Sequence, residues 1–186
     1  SIKNLKWENR LKGVNLDVGK GEIVGLGGLD GQGQKELLLA LFGVLRGVEG
    51  TVQAGEVTGI PGSPDRAKGG KARIALVPED RKTEGLMLPM SIADNLIAAS
   101  YHKVSNGSLI DPAKEKAAVS EGIEKLQIKI GSARDPVATL SGGNQQKVVI
   151  AKWLMTDPDI ILLNDPTRGI DVGTKQEIYK LMRDLA

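Results

Sequence analysis

Three short runs in this chain of 186 residues carry residue types that handle phosphate: GLDGQGQKELL at 28–38, LSGGNQQK at 140–147 and IILLNDPTRGID at 160–171. In the first, backbone N–H groups flanked by Gly28, Gly31 and Gly33 can point into one concavity at the start of a helix, whose dipole favours an anion. Gln32, Gln34, Lys35 and Glu36 complete the candidate nucleotide-binding set. A working phosphate loop then places a lysine on the outer phosphates and a hydroxyl on magnesium; here those two positions hold Gln34 and Lys35. Losing one charge-assisted hydrogen bond costs about 1.5 to 3 kcal/mol, and losing a transition-state donor costs on the order of 10² to 10³ in rate. Lys35 does not restore it, because one step along a helix turns a side chain by about 100°. The glycines alone serve equally well as a plain turn between a strand and a helix.

The elements that must position these runs follow from periodicity. GEIVGLGG (21–28) reads as a short buried strand feeding the glycine loop, and QKELLLALFG as the helix after it, closed by Gly43. LKGVNLDVG and GTVQAGEVTG read as half-exposed antiparallel strands, PGSPDRAKGGK (61–71) as a loop, and ARIALVPED as a buried strand ending at Pro78. From Ser91 to about Thr156 the pattern is helical: SIADNLIAAS, a helix with Asp111 as N-cap and Pro112 in its first turn, then NQQKVVIAKWL. IILL is an apolar strand, and VGTKQEIYKLMRDLA an amphipathic closing helix. Apolar strands alternating with helices argue an α/β fold with a parallel sheet covered on both faces.

Composition narrows the function classes. The chain has no cysteine, which excludes disulfides and a thiol nucleophile, and its single histidine, His102, reads as a solvated loop residue. Lys and Arg total 25 against 23 Asp and Glu, and aromatics are 3%, so there is neither the basic footprint nor the stacking platform of a nucleic-acid binder. The polar start SIKNLKWENR is no signal peptide, and no apolar run approaches a bilayer span.

LSGGNQQK resembles the signature of the ATP-binding-cassette ATPases, and its NQQK ending is similar to the second nucleotide-binding domain of bacterial sugar importers. The resemblance implies a P-loop NTPase fold: a RecA-like parallel core, a small antiparallel lobe within about 1–60 and a helical signature subdomain at about 91–156, all in one nucleotide-binding domain over 1–186. It also implies ATP and Mg²⁺ as cofactors. Ser141, Gly142, Gly143 and Gln145 would face the ATP held on a partner domain, and Asp171 would contact that domain. The bland alternative for SGG is a serine cap followed by flexible glycines. In the family the apolar strand ends in Asp then Glu, a magnesium partner and a catalytic residue; here Asn164 and Asp165 stand there. Asp165 is shorter than Glu by roughly 1.5 Å, and a misplacement of about 1 Å can cost on the order of 10² in rate. VPEDRKTEGL (77–86) resembles the family's Q-loop region with Glu79 at the glutamine position; an exposed charged turn accounts for the same residues. Trp7 reads as the family's adenine-stacking aromatic or, preferably, as a half-buried core residue.

Taken together, the resemblance implies an ATP-binding subunit of a carbohydrate importer, peripheral on the cytoplasmic face of the inner or plasma membrane. Its partners would be a second nucleotide-binding domain and transmembrane permease subunits, with no nucleic acid. Its own ATP site is degenerate at Gln34, Lys35, Asn164 and Asp165, while the signature is whole. Lys35 beside Asn164 could stand in for the lost ion, with drift in an idle site as the other explanation. The alternatives are a nucleotide-binding interaction module without turnover, or a soluble cassette protein acting on ribosomes or DNA. The chain ends at Ala186, before the family's switch histidine and a central strand, so a C-terminal part is expected to be missing.

Overall fold

The structure is a computed structural model that describes residues 1–29 and 31–186. The chain divides into two compact units, one of 1–76, 159–164 and 177–186, the other of 77–158 and 165–176.

The first unit opens with β1 (Ile2–Trp7), β2 (Leu11–Leu16), β3 (Glu49–Ala54) and β4 (Val57–Thr58), an antiparallel sheet in the order β2-β1-β3-β4. Ile2 and Leu5 are both buried although three residues apart, which a strand of period two cannot arrange. The register slips between them, and Asn4 takes φ 50, so a bulge turns Leu5 back to the inner face. That irregular period is why β1 was not legible from residue pattern alone. Ile2, Leu5, Leu11 and Val52 pack on Leu37 and Ala40 of α1 (Gln34–Leu41). Trp7 is half-buried against this core, its indole N–H donating to the Arg46 carbonyl at 2.9 Å, which is the core reading of that residue.

α1 ends in a Schellman motif: the Val44 N–H reaches Leu39 O at 3.0 Å, the Gly43 N–H reaches Ala40 O at 3.1 Å, and Gly43 has φ +76. The segment 61–71, expected as a loop, holds α2 (Pro64–Gly69), because Ser63 caps the Arg66 N–H and Pro64 is already set for a first turn. β5 (Ile74–Val77), buried throughout, pairs with β8 (Ile160–Leu163) in the parallel sheet. GEIVGLGG does not form the expected buried strand. No ladder joins it among the described residues, and Ile23 and Leu26 stay in water, 50% and 42% exposed. A strand is defined by neighbours that take its N–H and C=O groups, and an apolar run alone does not supply them.

The second unit is mostly helical: α3 (Ile92–Ile97), α4 (Tyr101–Val104), α5 (Pro112–Lys125) and α6 (Gly142–Leu154). α3, α5 and α6 pack on one another, and Ile92, Leu96, Val119, Val148 and Val149 on them are buried. Asp111 accepts the Ala113 and Lys114 N–H groups at 2.9 and 3.2 Å, with Pro112 next, as the sequence indicates. Buried Asn95 accepts from the Met87 N–H at 2.8 Å and donates to Ser91 O at 2.9 Å, tying the 87–91 turn to α3. A small hairpin of β6 (Ser105–Asn106) and β7 (Leu109–Ile110) interrupts the helices. His102 is exposed, on α4 rather than in a loop. α7 (Val172–Leu185) begins in the second unit and continues in the first.

Candidate functional site

In the first unit, α1 starts at Gly33, whose φ of +103 and lack of a side chain let the loop turn sharply into the helix. A Cβ on Gly33 would lie 2.9 Å from the Arg10 carbonyl, so only glycine fits between the loop and the β1–β2 turn. Gly31 also has positive φ, +76, and its carbonyl accepts from Arg10 Nη1 at 3.1 Å. Arg10, Lys12, Gly31, Gln32, Gly33 and Gln34 are among the residues lining a cleft of about 820 Å³. Asp30 of this loop lies outside the described residues. Gln34 folds back over the loop: its Nε2 donates to Leu29 O at 3.3 Å, and a Cβ on Gly28 would meet it at 2.3 Å. Gly28 is thus needed for the glutamine to lie there, and a neutral amide occupies the loop mouth. Lys35, Glu36 and Asn164 are each half-buried.

In the second unit, Ser141 caps α6, its Oγ accepting from the Asn144 N–H at 3.4 Å and from Asn144 Nδ2 at 3.1 Å. The two glycines that follow are packing positions. A Cβ on Gly142 would lie 2.7 Å from Arg81 Nη2, and one on Gly143 would lie 2.5 Å from Thr174 Oγ1. Gln145 is buried, its Nε2 donating to Leu140 O at 3.1 Å. Thr174 is itself fixed by Asp171, whose carboxylate takes its N–H at 2.9 Å and its hydroxyl at 2.7 Å. Those bonds, the backbone one first, hold the Asp171 carboxyl below its ordinary pKa.

Glu79 forms an ion pair with Arg168, and Arg81 donates to Arg168 O at 3.0 Å and Gly169 O at 3.3 Å. The Asp80 carboxylate, lowered in pKa first by the Lys82 backbone N–H, starts the π-helical turn at 81–85 that carries Arg81. Asp165 is exposed, with φ 43, in the turn closed by its carbonyl and the Arg168 N–H. The structure therefore gathers Glu79, Ser141, Gly142, Gly143, Gln145, Asp165 and Asp171 in one unit and the phosphate-loop residues with Asn164 in the other. Arg10, Arg81 and Thr174 were not legible as site residues. The sequence signals were VPEDRKTEGL, which contains Arg81, and the aspartate three positions before Thr174, a capping pattern.

A family profile described as ABC transporter matches residues 11–168. This chain belongs to the ABC transporter family. The cassette is 59% identical to "Ribose import ATP-binding protein RbsA 1" of Rhizobium johnstonii across 100% of its own length, and 43% identical to a protein of the same name from Streptomyces coelicolor. It spans 36% of the length of each of these curated relatives. Among solved structures it resembles a dimeric post-hydrolysis state of the ATP-binding cassette MJ0796 bound to ADP and Pi, at 25% identity and a TM-score of 0.78, covering 99% of this chain and 81% of that one. A nucleotide-free ATP-binding cassette from an ABC transporter gives a TM-score of 0.79 at 21% identity, covering 99% of this chain and 75% of that one. The fold is accordingly the P-loop NTPase fold expected from the signature.

The donor chemistry separates the two family cofactors. Gly31, Gly33 and the start of α1 suit the phosphate chain of ATP. Lys35 and Asn164 offer neither a carboxylate nor a hydroxyl to magnesium. No helix among the described residues is long and apolar enough to cross a membrane.

Proposed function

We propose that this cassette is the second nucleotide-binding domain of a carbohydrate importer's ATP-binding subunit, working beside transmembrane permease subunits on the cytoplasmic face of the membrane. In this reading its signature completes the ATP site of a partner cassette, and its own phosphate loop holds nucleotide without efficient turnover. The observation that carries it is the contrast between the two motifs. Arg81 packs against Gly142 and Thr174 against Gly143, with Ser141 capping the helix, whereas the loop holds a neutral Gln34 amide where the family requires a cation. The relatives named for ribose import supply the solute class.

At its own loop the N–H groups and Arg10 bind phosphate, with Arg10 the nearest replacement for the lost lysine. Asp165, at the catalytic position, is a weak base at most. No step is assigned to magnesium there. At the partner's site, Ser141 Oγ and the N–H groups of Gly142 and Gly143 orient the terminal phosphate, and Asp171 holds the start of α7 against that domain.

The test is ATP turnover by the full-length protein in its membrane assembly, with Ser141→Arg expected to remove it. Unchanged turnover in that variant would defeat the reading. Co-purification with ribosomes or DNA instead of membrane subunits would favour the soluble alternative. A second reading, an interaction module with no turnover in any assembly, draws on the Gln34 contact with Leu29 and predicts nucleotide binding without phosphate release.

A further inference from the structure

We propose that Arg81 is a positioning residue that locks the signature turn to the 165–171 loop, so that the two segments assigned to the partner cassette move as one surface. The inference rests on the functional reading above and deepens it. Four contacts meet at this guanidinium. Nη1 and Nη2 fork onto the carbonyls of Arg168 and Gly169 at 3.0 and 3.3 Å, Nε reaches Gln145 Oε1 at 3.4 Å, and Nη2 lies in the space that a Cβ on Gly142 would fill. Arg168 is gripped at both ends, its carbonyl by Arg81 and its guanidinium by Glu79. The arm itself is rigid at its root, since Asp80 accepts the Lys82 and Thr83 N–H groups at 2.8 and 3.4 Å.

Three segments far apart in sequence therefore share one cation: 79–85, 141–145 and 165–171. The absence of a side chain at Gly142 is a steric requirement of that arrangement, as it is at Gly143 for Thr174. A shift of the 165–171 loop displaces the carbonyls that hold Arg81, and Arg81 in turn releases Gly142 and Gln145. Lysine cannot reproduce this, because a point charge on a flexible stem lacks the planar fork that spans two carbonyls.

The test compares Arg81→Lys, Gly142→Ala and the double variant Arg81→Ala/Gly142→Ala, against Arg81→Ala, in the full-length protein assembled with its membrane subunits. A misplacement of about 1 Å costs on the order of 10² in rate. Arg81→Lys is therefore expected to lower kcat for ATP at least about tenfold with KM within about twofold, while the melting temperature stays near wild type. Gly142→Ala pushes Nη2 off the Gly169 carbonyl and is expected to mimic that loss, but to add little once Arg81 is already Ala, since residues in contact are not additive. Wild-type kcat in Arg81→Lys, or fully additive effects of Gly142→Ala and Arg81→Ala, overturns the inference alone. A drop in melting temperature with unchanged kcat also overturns it, leaving Arg81 merely structural. Absence of ATP turnover in the wild-type assembly overturns the functional reading and this inference with it.

Discussion

At the residue scale, single substitutions decide what each motif can do. Gln34 and Lys35 were readable as departures from a working loop; the fold-back of Gln34 onto Leu29 was not, since a side chain's conformation depends on the space that Gly28 leaves. Restoring the family residues with Gln34→Lys and Lys35→Ser is expected to tighten ATP binding about tenfold or more in calorimetry, as one charge-assisted hydrogen bond contributes about 1.5 to 3 kcal/mol. Unchanged affinity would mean that Arg10 already supplies the charge. Lys152 makes a separate prediction. Burial pushes its ammonium down to about 8 from an ordinary 10.5, although its Nζ donates to the Gly85 carbonyl. The unfolded chain therefore binds more protons between those two values, and stability attributable to Lys152 rises as pH climbs from about 8 towards 10.5. Chemical denaturation of wild type and Lys152→Met across that window should show the difference; identical pH slopes would refute the assignment.

At the element scale, what was legible was what local chemistry fixes. Asp111 with Pro112 and Gly43 marked helix ends correctly, because caps are set by groups within a few residues. Ser63-Pro64 carried the same kind of signal inside PGSPDRAKGGK and was read as loop because glycine and lysine dominate that run. Strands were harder, since their partners lie far away in sequence. β1 escaped notice because its bulge breaks the period, and GEIVGLGG read as a strand although no ladder joins it among the described residues. Gly43 tests the capping argument. Its φ is +76, and a Cβ would lie 2.6 Å from Pro61 O. Gly43→Ala should therefore lower the unfolding free energy by roughly 1 to 3 kcal/mol, read as a reduced urea midpoint; an unshifted midpoint would show that the turn relaxes freely.

At the scale of the whole molecule, the phosphate loop and the signature fall in different compact units, and they differ in what their side chains support. The first has a backbone cradle with Arg10 beside it and a neutral amide across it; the second has Arg81 and Thr174 packed against its two glycines. Family membership was legible from LSGGNQQK because its residues are contiguous, whereas the Arg81 clasp reaches Gln145, 64 residues away, and Arg168, 87 residues away. The proposed division of labour has a direct test in the assembled transporter: removal of the phosphate-loop lysine of the proposed partner cassette, followed by measurement of the phosphate released per second. This chain's own loop is then the remaining site for turnover, and the rate is expected to fall by about 10² or more. Retention of half the wild-type rate would show that this chain drives hydrolysis itself and would contradict the account.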